Sequence, residues 1–180
     1  MLPGSVWGVH ILLATDADWL VDEVTAALGA DDVSFTVCRD GRVVCDQVEQ
    51  RLPELVICDM QSGSMGGIAV TMELRLDESA GTLPHVPILM LLDREVDLHL
   101  ARRSGAEGWL VKPLDALRLG KAVDALISGG TYTEGLDADA PPVELMVPDG
   151  GSSADGDETG TAAETDDDSA VSEEEPATAG

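Results

Sequence analysis

Five short apolar runs, each followed by a stretch with helical spacing, constrain this chain more than any other feature. The runs are GVHILLA (8–14), VSFTV (33–37), LVIC (55–58), PILMLL (87–92) and GWLV (108–111). They are nearly continuous rather than alternating, the pattern of parallel strands covered on both faces. Between them, apolar residues recur every three or four positions: Leu20, Val24 and Ala27–Leu28; Val44, Val48 and Leu52; Ile68, Met72 and Leu76; a weaker set around Leu100 and Ala101; then Ala116, Leu119, Val123 and Leu126–Ile127. Each set marks the buried face of a predicted helix. Asp40-Gly41 and Asp115 stand where helix caps belong, Pro53 follows the second helix, and Gly105 ends the fourth. Strict strand–helix alternation over residues 8–128 predicts an α/β fold with a doubly wound, five-stranded parallel sheet.

Charge divides the chain. Against 10 Lys and Arg stand 35 Asp and Glu, a formal net charge of −25. Such a surface repels polyanions, so nucleic acid and anionic membrane are excluded as direct partners. No Lys or Arg lies beyond Lys121, and from Thr133 the composition shifts to Asp, Glu, Ser, Thr, Ala, Gly and Pro. Residues 129–180 are therefore expected to form an acidic, low-complexity, disordered tail, unable to bury enough surface to offset its ordering entropy. The start, MLPGSVWGVHILLATD, has no cation ahead of its apolar stretch and makes a poor secretory signal. Cys38, Cys45 and Cys58 lack metal-binding spacing and read as reduced, buried thiols, so a cytoplasmic location is expected. His10, His85 and His99 show no ligand spacing and are assigned no role.

In a doubly wound sheet, ligands bind beyond the carboxyl ends of the strands. Asp16 follows the first run, Asp59 the third, Asp93 the fourth and Lys112 the fifth. Carboxylates and an ammonium directly after buried strands converge on one edge, where charges must pair or bind an ion. That set suits phosphoryl chemistry. A carboxylate can attack phosphorus, a divalent cation on oxygen ligands offsets the added negative charge, and a lysine pairs with the transferred oxygens. Asp59 is the candidate nucleophile, Asp16 the candidate metal ligand and Lys112 the cation. For Asp16, a helix-cap role is the alternative.

The acid after strand 1, the aspartate of PELVICDM and the Lys-Pro of GAEGWLVKPLD, in that order and spacing, resemble the receiver domain of bacterial two-component response regulators. The resemblance covers residues 8–128. It implies a flavodoxin-like sheet of order 2-1-3-4-5, phosphorylation of Asp59 by a sensor histidine kinase or phosphotransfer protein, and Mg²⁺ on Asp16, Asp59 and the backbone carbonyl of Gln61. It also implies a cis Lys112–Pro113 peptide and no enzyme activity beyond self-phosphoryl transfer and slow autodephosphorylation. Residues 129–180 are too polar and acidic for a DNA-binding helix-turn-helix, so signalling is expected to run through docking on a downstream protein.

Three departures from that family's pattern bear on function. Thr15 stands where the family carries a second acid, which weakens the expected cation site. Leu92 falls at the switch position that normally holds a phosphoryl-binding hydroxyl, and no Ser or Thr lies between Thr82 and Ser104. Gly63 and Gly66 replace a proline and an acid in the loop after Asp59, which is expected to be looser. Trp109 falls at the family's aromatic switch position; as ordinary packing it is a bulky residue between helices 4 and 5. The departures leave a second reading open: a pseudo-receiver that binds protein constitutively without phosphorylation. A third, in which Asp16-Ala17-Asp18 resembles the nucleophile pair of haloacid-dehalogenase phosphatases, lacks the other motifs of that family.

Overall fold

The structure, a computed structural model, describes residues 8–135. The first seven residues and most of the predicted tail, 136–180, lie outside the described residues.

All five predicted strands form: β1 (Val9–Ala14), β2 (Val33–Cys38), β3 (Leu55–Asp59), β4 (Ile88–Leu92) and β5 (Gly108–Val111). They alternate with α1 (Asp18–Leu28), α2 (Val44–Gln50), α3 (Gly67–Ser79), α4 (Leu98–Ser104) and α5 (Ala116–Ile127). Every pairing is parallel, and the order β2-β1-β3-β4-β5 is the expected one. The count of five is corrected to six. Past α5 the chain returns as β6 (Tyr132–Thr133), which pairs with Gly108 and Trp109 of β5. The predicted tail boundary at 129 is therefore too early, because residues 132–135 belong to the folded body.

The continuity of the runs has a direct structural reason. Along β1, Ile11 and Leu13 enter one core cluster with α1 and α5, whereas Leu12 and Ala14 enter another with α2 and α3. Leu55 and Ile57 alternate with Val56 and Cys58 in the same way along β3. Both faces are dry, so neither needs a polar residue. A third cluster joins Met90 and Leu92 to Leu98, Ala101 and Trp109.

Helix boundaries follow the punctuation. Asp40 caps a 3₁₀ turn at Gly41–Val43 that runs into α2, accepting the Arg42 N–H. Asp115 accepts from Leu117 N and Arg118 N at the start of α5, and Gly105 closes α4 at φ 87°. Leu52 falls beyond the end of α2 and is exposed. The predicted buried face of α3 holds at Ile68, which packs against the third cluster, but not at Met72 and Leu76. Met72 and Leu76 are exposed, and the buried residues are Gly67, Val70, Thr71 and Leu74. At the start of the helix the backbone comes close to β3: a Cβ on Gly67 would lie 2.9 Å from the Asp59 carbonyl oxygen. The helix start is pressed against the end of β3, with Gly67 at the point of contact.

Candidate phosphoryl-acceptor site

The C-terminal ends of β1, β3, β4 and β5 bring Thr15, Asp59, Asp93 and Lys112 together. Asp59 is 3% exposed at the last position of β3. One carboxylate oxygen, Oδ1, accepts from Lys112 Nζ at 2.7 Å and from the backbone N–H of Gln61 at 3.3 Å. The other, Oδ2, accepts from the Thr15 hydroxyl at 3.1 Å. Lys112 also donates to Asp93 Oδ1 at 3.1 Å, and its ammonium lies 5.4 Å from the centroid of the Trp19 ring. The sheet carries this lysine into place, because Lys112 N donates to Leu92 O at 2.7 Å and so extends the β4–β5 ladder. The Lys112–Pro113 peptide is cis, as the resemblance implies.

Asp16 takes a different position. It is exposed, and its Oδ2 accepts the Gly63 N–H at 2.9 Å. It does not cap α1, whose N-cap residue, Ala17, has no side-chain cap bond. A Cβ on Gly63 would sit 2.9 Å from the same carboxylate oxygen, so the glycine leaves room for this contact. The glycine that looked like a loss of rigidity thus lets the loop backbone reach Asp16. The Asp18 side chain is 82% exposed and pairs with Arg39 at 2.6 Å.

Thr15 is the residue whose role sequence reasoning missed. It is fully buried, donates to Asp59 and accepts the Ala17 N–H at 3.2 Å. Its hydroxyl therefore occupies the acceptor face of Asp59 as a neutral hydrogen-bond donor. Leu92 is 0% exposed and packs with Trp109, Leu98 and Ala101, with no polar atom to offer. Trp109 is 4% exposed and donates from Nε1 to the Glu134 carbonyl at 2.9 Å. Glu134 has no signal in the sequence beyond one more acid in an acidic stretch.

Behind the site the thiols hold their protons. Burial pushes the Cys58 thiol up to about 12, and burial with the nearby Glu73 and Asp77 carboxylates does the same for Cys45. Among the described residues, no group of three or more His, Cys, Asp or Glu side chains is gathered to hold a metal ion. None of the described helices is long and apolar enough to cross a membrane.

The arrangement is a buried carboxylate with one cation against it, set at the rim of a parallel sheet, and comparisons with known proteins point the same way. Residues 11–124 match the family model of the response regulator receiver domain. The chain is 27% identical to protein PilH of Pseudomonas aeruginosa over 120 residues, which cover 67% of this chain and 98% of that protein. It is 29% identical over 141 residues to the DNA-binding response regulator MtrA of Mycobacterium tuberculosis, covering 77% of this chain but only 59% of that protein's length. Among solved structures, a putative response regulator from Chloroflexus aurantiacus superposes with a TM-score of 0.61 at 22% identity, covering 67% of this chain and 98% of that one. The signal receiver domain of a signal transduction histidine kinase from Syntrophus aciditrophicus gives 0.60 at 22% identity, covering 74% of this chain and 100% of that one. At these identities the structural matches speak to the fold.

Proposed function

Because the chain belongs to the response regulator receiver domain family, we propose that it works in two-component phosphorelay signalling with Asp59 as the residue that accepts the phosphoryl group. The observation that carries the reading is the Lys112 Nζ–Asp59 Oδ1 contact of 2.7 Å, between side chains only 10% and 4% exposed. A phosphohistidine on a sensor kinase or phosphotransfer protein is the donor. An Asp59 oxygen attacks phosphorus, the new O–P bond forms as the P–N bond breaks, and the departing imidazole takes up a proton. Lys112 moves from carboxylate to phosphoryl oxygen and offsets the charge that arrives. Its effect is strong because both side chains are largely withdrawn from water, which screens their interaction poorly. Thr15 holds Asp59 Oδ2 and so orients the carboxylate. The chain has no separate substrate; its chemistry is limited to its own phosphorylation and slow hydrolysis of the acyl phosphate.

Receiver domains generally bind Mg²⁺ at the phosphorylation site. The donor set here fits a hard cation in kind: the Asp16 and Asp59 carboxylates and the Gln61 carbonyl are all oxygen, and Mg²⁺ is commonly held by one or two carboxylates together with phosphate oxygens. Asp16, Asp59 and Gln61 would hold it. When bound, the ion supplies positive charge to the transferring phosphoryl oxygens. With Thr15 in place of a further acid, its affinity is expected to be weak.

Incubation with a small acyl-phosphate donor and Mg²⁺ tests the reading. Wild type should gain one phosphoryl group and Asp59→Asn none; no incorporation into wild type overturns it.

A second reading has its own support. The Thr15 hydroxyl already satisfies Asp59 Oδ2, and Leu92 offers no hydrogen bond to a phosphoryl oxygen. Both suit a receiver fold that docks on a protein partner regardless of phosphate. Under that reading partner affinity is the same for wild type and Asp59→Asn, whereas a phosphate-dependent affinity excludes it.

A further inference from the structure

Beyond α5 the chain lies along the edge of the sheet, outside the region matched by the family model. Tyr132 and Thr133 make only a two-residue strand on β5, with Tyr132 N donating to Glu107 O at 3.1 Å. The next residue does more. The Glu134 carbonyl accepts Trp109 Nε1 at 2.9 Å, and its carboxylate accepts the Val111 N–H at 3.2 Å. That carboxylate also pairs with Arg118, from Nε to Oε1 at 2.8 Å and from Nη2 to Oε2. Arg118 in turn donates to Val111 O at 3.1 Å and Pro113 O at 3.2 Å. Both backbone polar groups of Val111 and the carbonyl of Pro113 are therefore held by one ion pair. Lys112 sits between them.

We propose that Glu134 is a positioning residue for the acceptor site: with Arg118 it clamps the backbone from Val111 to Pro113 and so sets where the Lys112 amine stands against Asp59. Glu134 touches neither Asp59 nor the reacting atoms. It acts through β5, and by linkage the coupling runs both ways. Loosening the segment frees Lys112, and removing the Lys112–Asp59 contact loosens the segment. The effect on phosphorylation rests on reading Asp59 as the acceptor; the mechanical coupling does not.

The test uses the full-length chain and two readouts. The first is amide hydrogen exchange at Val111 and Tyr132; the second is the initial rate of Asp59 phosphorylation by acetyl phosphate with Mg²⁺. Glu134→Ala is expected to raise exchange at both amides and slow phosphorylation about threefold to tenfold. Glu134→Gln, which keeps an acceptor for the Val111 N–H, should fall between it and wild type. The charge-swapped pair Arg118→Glu with Glu134→Arg should recover part of the loss. Lys112→Ala, far from Tyr132, should raise Tyr132 exchange, which a merely local role for the segment would not do. Unchanged Tyr132 exchange in Lys112→Ala, or a wild-type phosphorylation rate in Glu134→Ala, overturns the proposal. If wild type takes no phosphate at all, the acceptor reading fails, and the exchange measurements still decide whether the clamp exists.

Discussion

Replacing Thr15 with aspartate is the sharpest test of how this site balances its charge. The change trades a neutral donor for a second negative charge about where the hydroxyl now lies, 3.1 Å from Asp59 Oδ2. Thr15 is 0% and Asp59 3% exposed, so water screens the pair poorly. Two unit charges at that distance repel by about 5 kcal/mol at an effective dielectric of 20. Lys112, 2.7 Å from the other Asp59 oxygen, attracts the new charge and offsets part of this. The lost hydroxyl bond adds about 1 kcal/mol. The expected net loss of stability in metal-free buffer is about 3 kcal/mol. A divalent cation should reverse it, since a ligand that binds only the folded state at 100 times its Kd stabilises by about 2.7 kcal/mol. The assay is urea unfolding of wild type and Thr15→Asp, each in chelator and in Mg²⁺. The variant should be much the weaker in chelator and should gain far more from Mg²⁺ than wild type. Equal stability without metal, or equal Mg²⁺ shifts in both proteins, would refute the claim that Thr15 stands in for a metal-binding acid.

Two further outcomes follow from packing and burial. Gly67→Ala places a Cβ 2.9 Å from the Asp59 carbonyl and 3.2 Å from Cys58 Cβ; it should cost about 1–3 kcal/mol in urea unfolding and slow Asp59 phosphorylation, because α3 can move away only by dragging the end of β3. Cys58 keeps its proton in the folded state up to about 12 against an ordinary value of 9.0. Above that ordinary value the unfolded chain therefore loses a proton that the folded chain holds, and stability falls as pH rises between the two values. Cys58→Ala should fall less steeply over that window in alkaline urea titrations, and native Cys58 should resist alkylation at neutral pH.

The framework was legible because the forces that set it are local and repeated. Runs such as LVIC and PILMLL have no polar member to place in water, so both sheet faces must be covered, and the capping aspartates and Gly105 locate helix ends by backbone chemistry alone. Asp59 and Lys112 were legible for a related reason: charges directly after buried strands must meet at one rim. The α3 face is deceptive because Ile68, Met72 and Leu76 repeat as cleanly as a core stripe. Ile68 does reach the third cluster, but Met72 and Leu76 face solvent, and the close approach of Gly67 to Asp59 at the helix start is a contact between segments that periodicity does not register. Thr15 stands in the sequence as no more than an absent acid, since a hydroxyl's donor role depends on the orientation of the carboxylate it meets. Glu134 was hidden among acids whose composition predicts solvation. Its place in the fold comes from Arg118, sixteen residues earlier, and from Trp109 and Val111 on the open edge of β5, none of which composition can show.

The central claim is that Asp59, and no other carboxylate on this rim, takes the phosphoryl group. Borohydride trapping of the acyl phosphate after treatment with acetyl phosphate and Mg²⁺, followed by peptide mapping, reads it directly. Reduction is expected at Asp59 alone in wild type and nowhere in Asp59→Asn. Labelling at Asp16 or Asp93, or an unmodified Asp59 peptide, would contradict it.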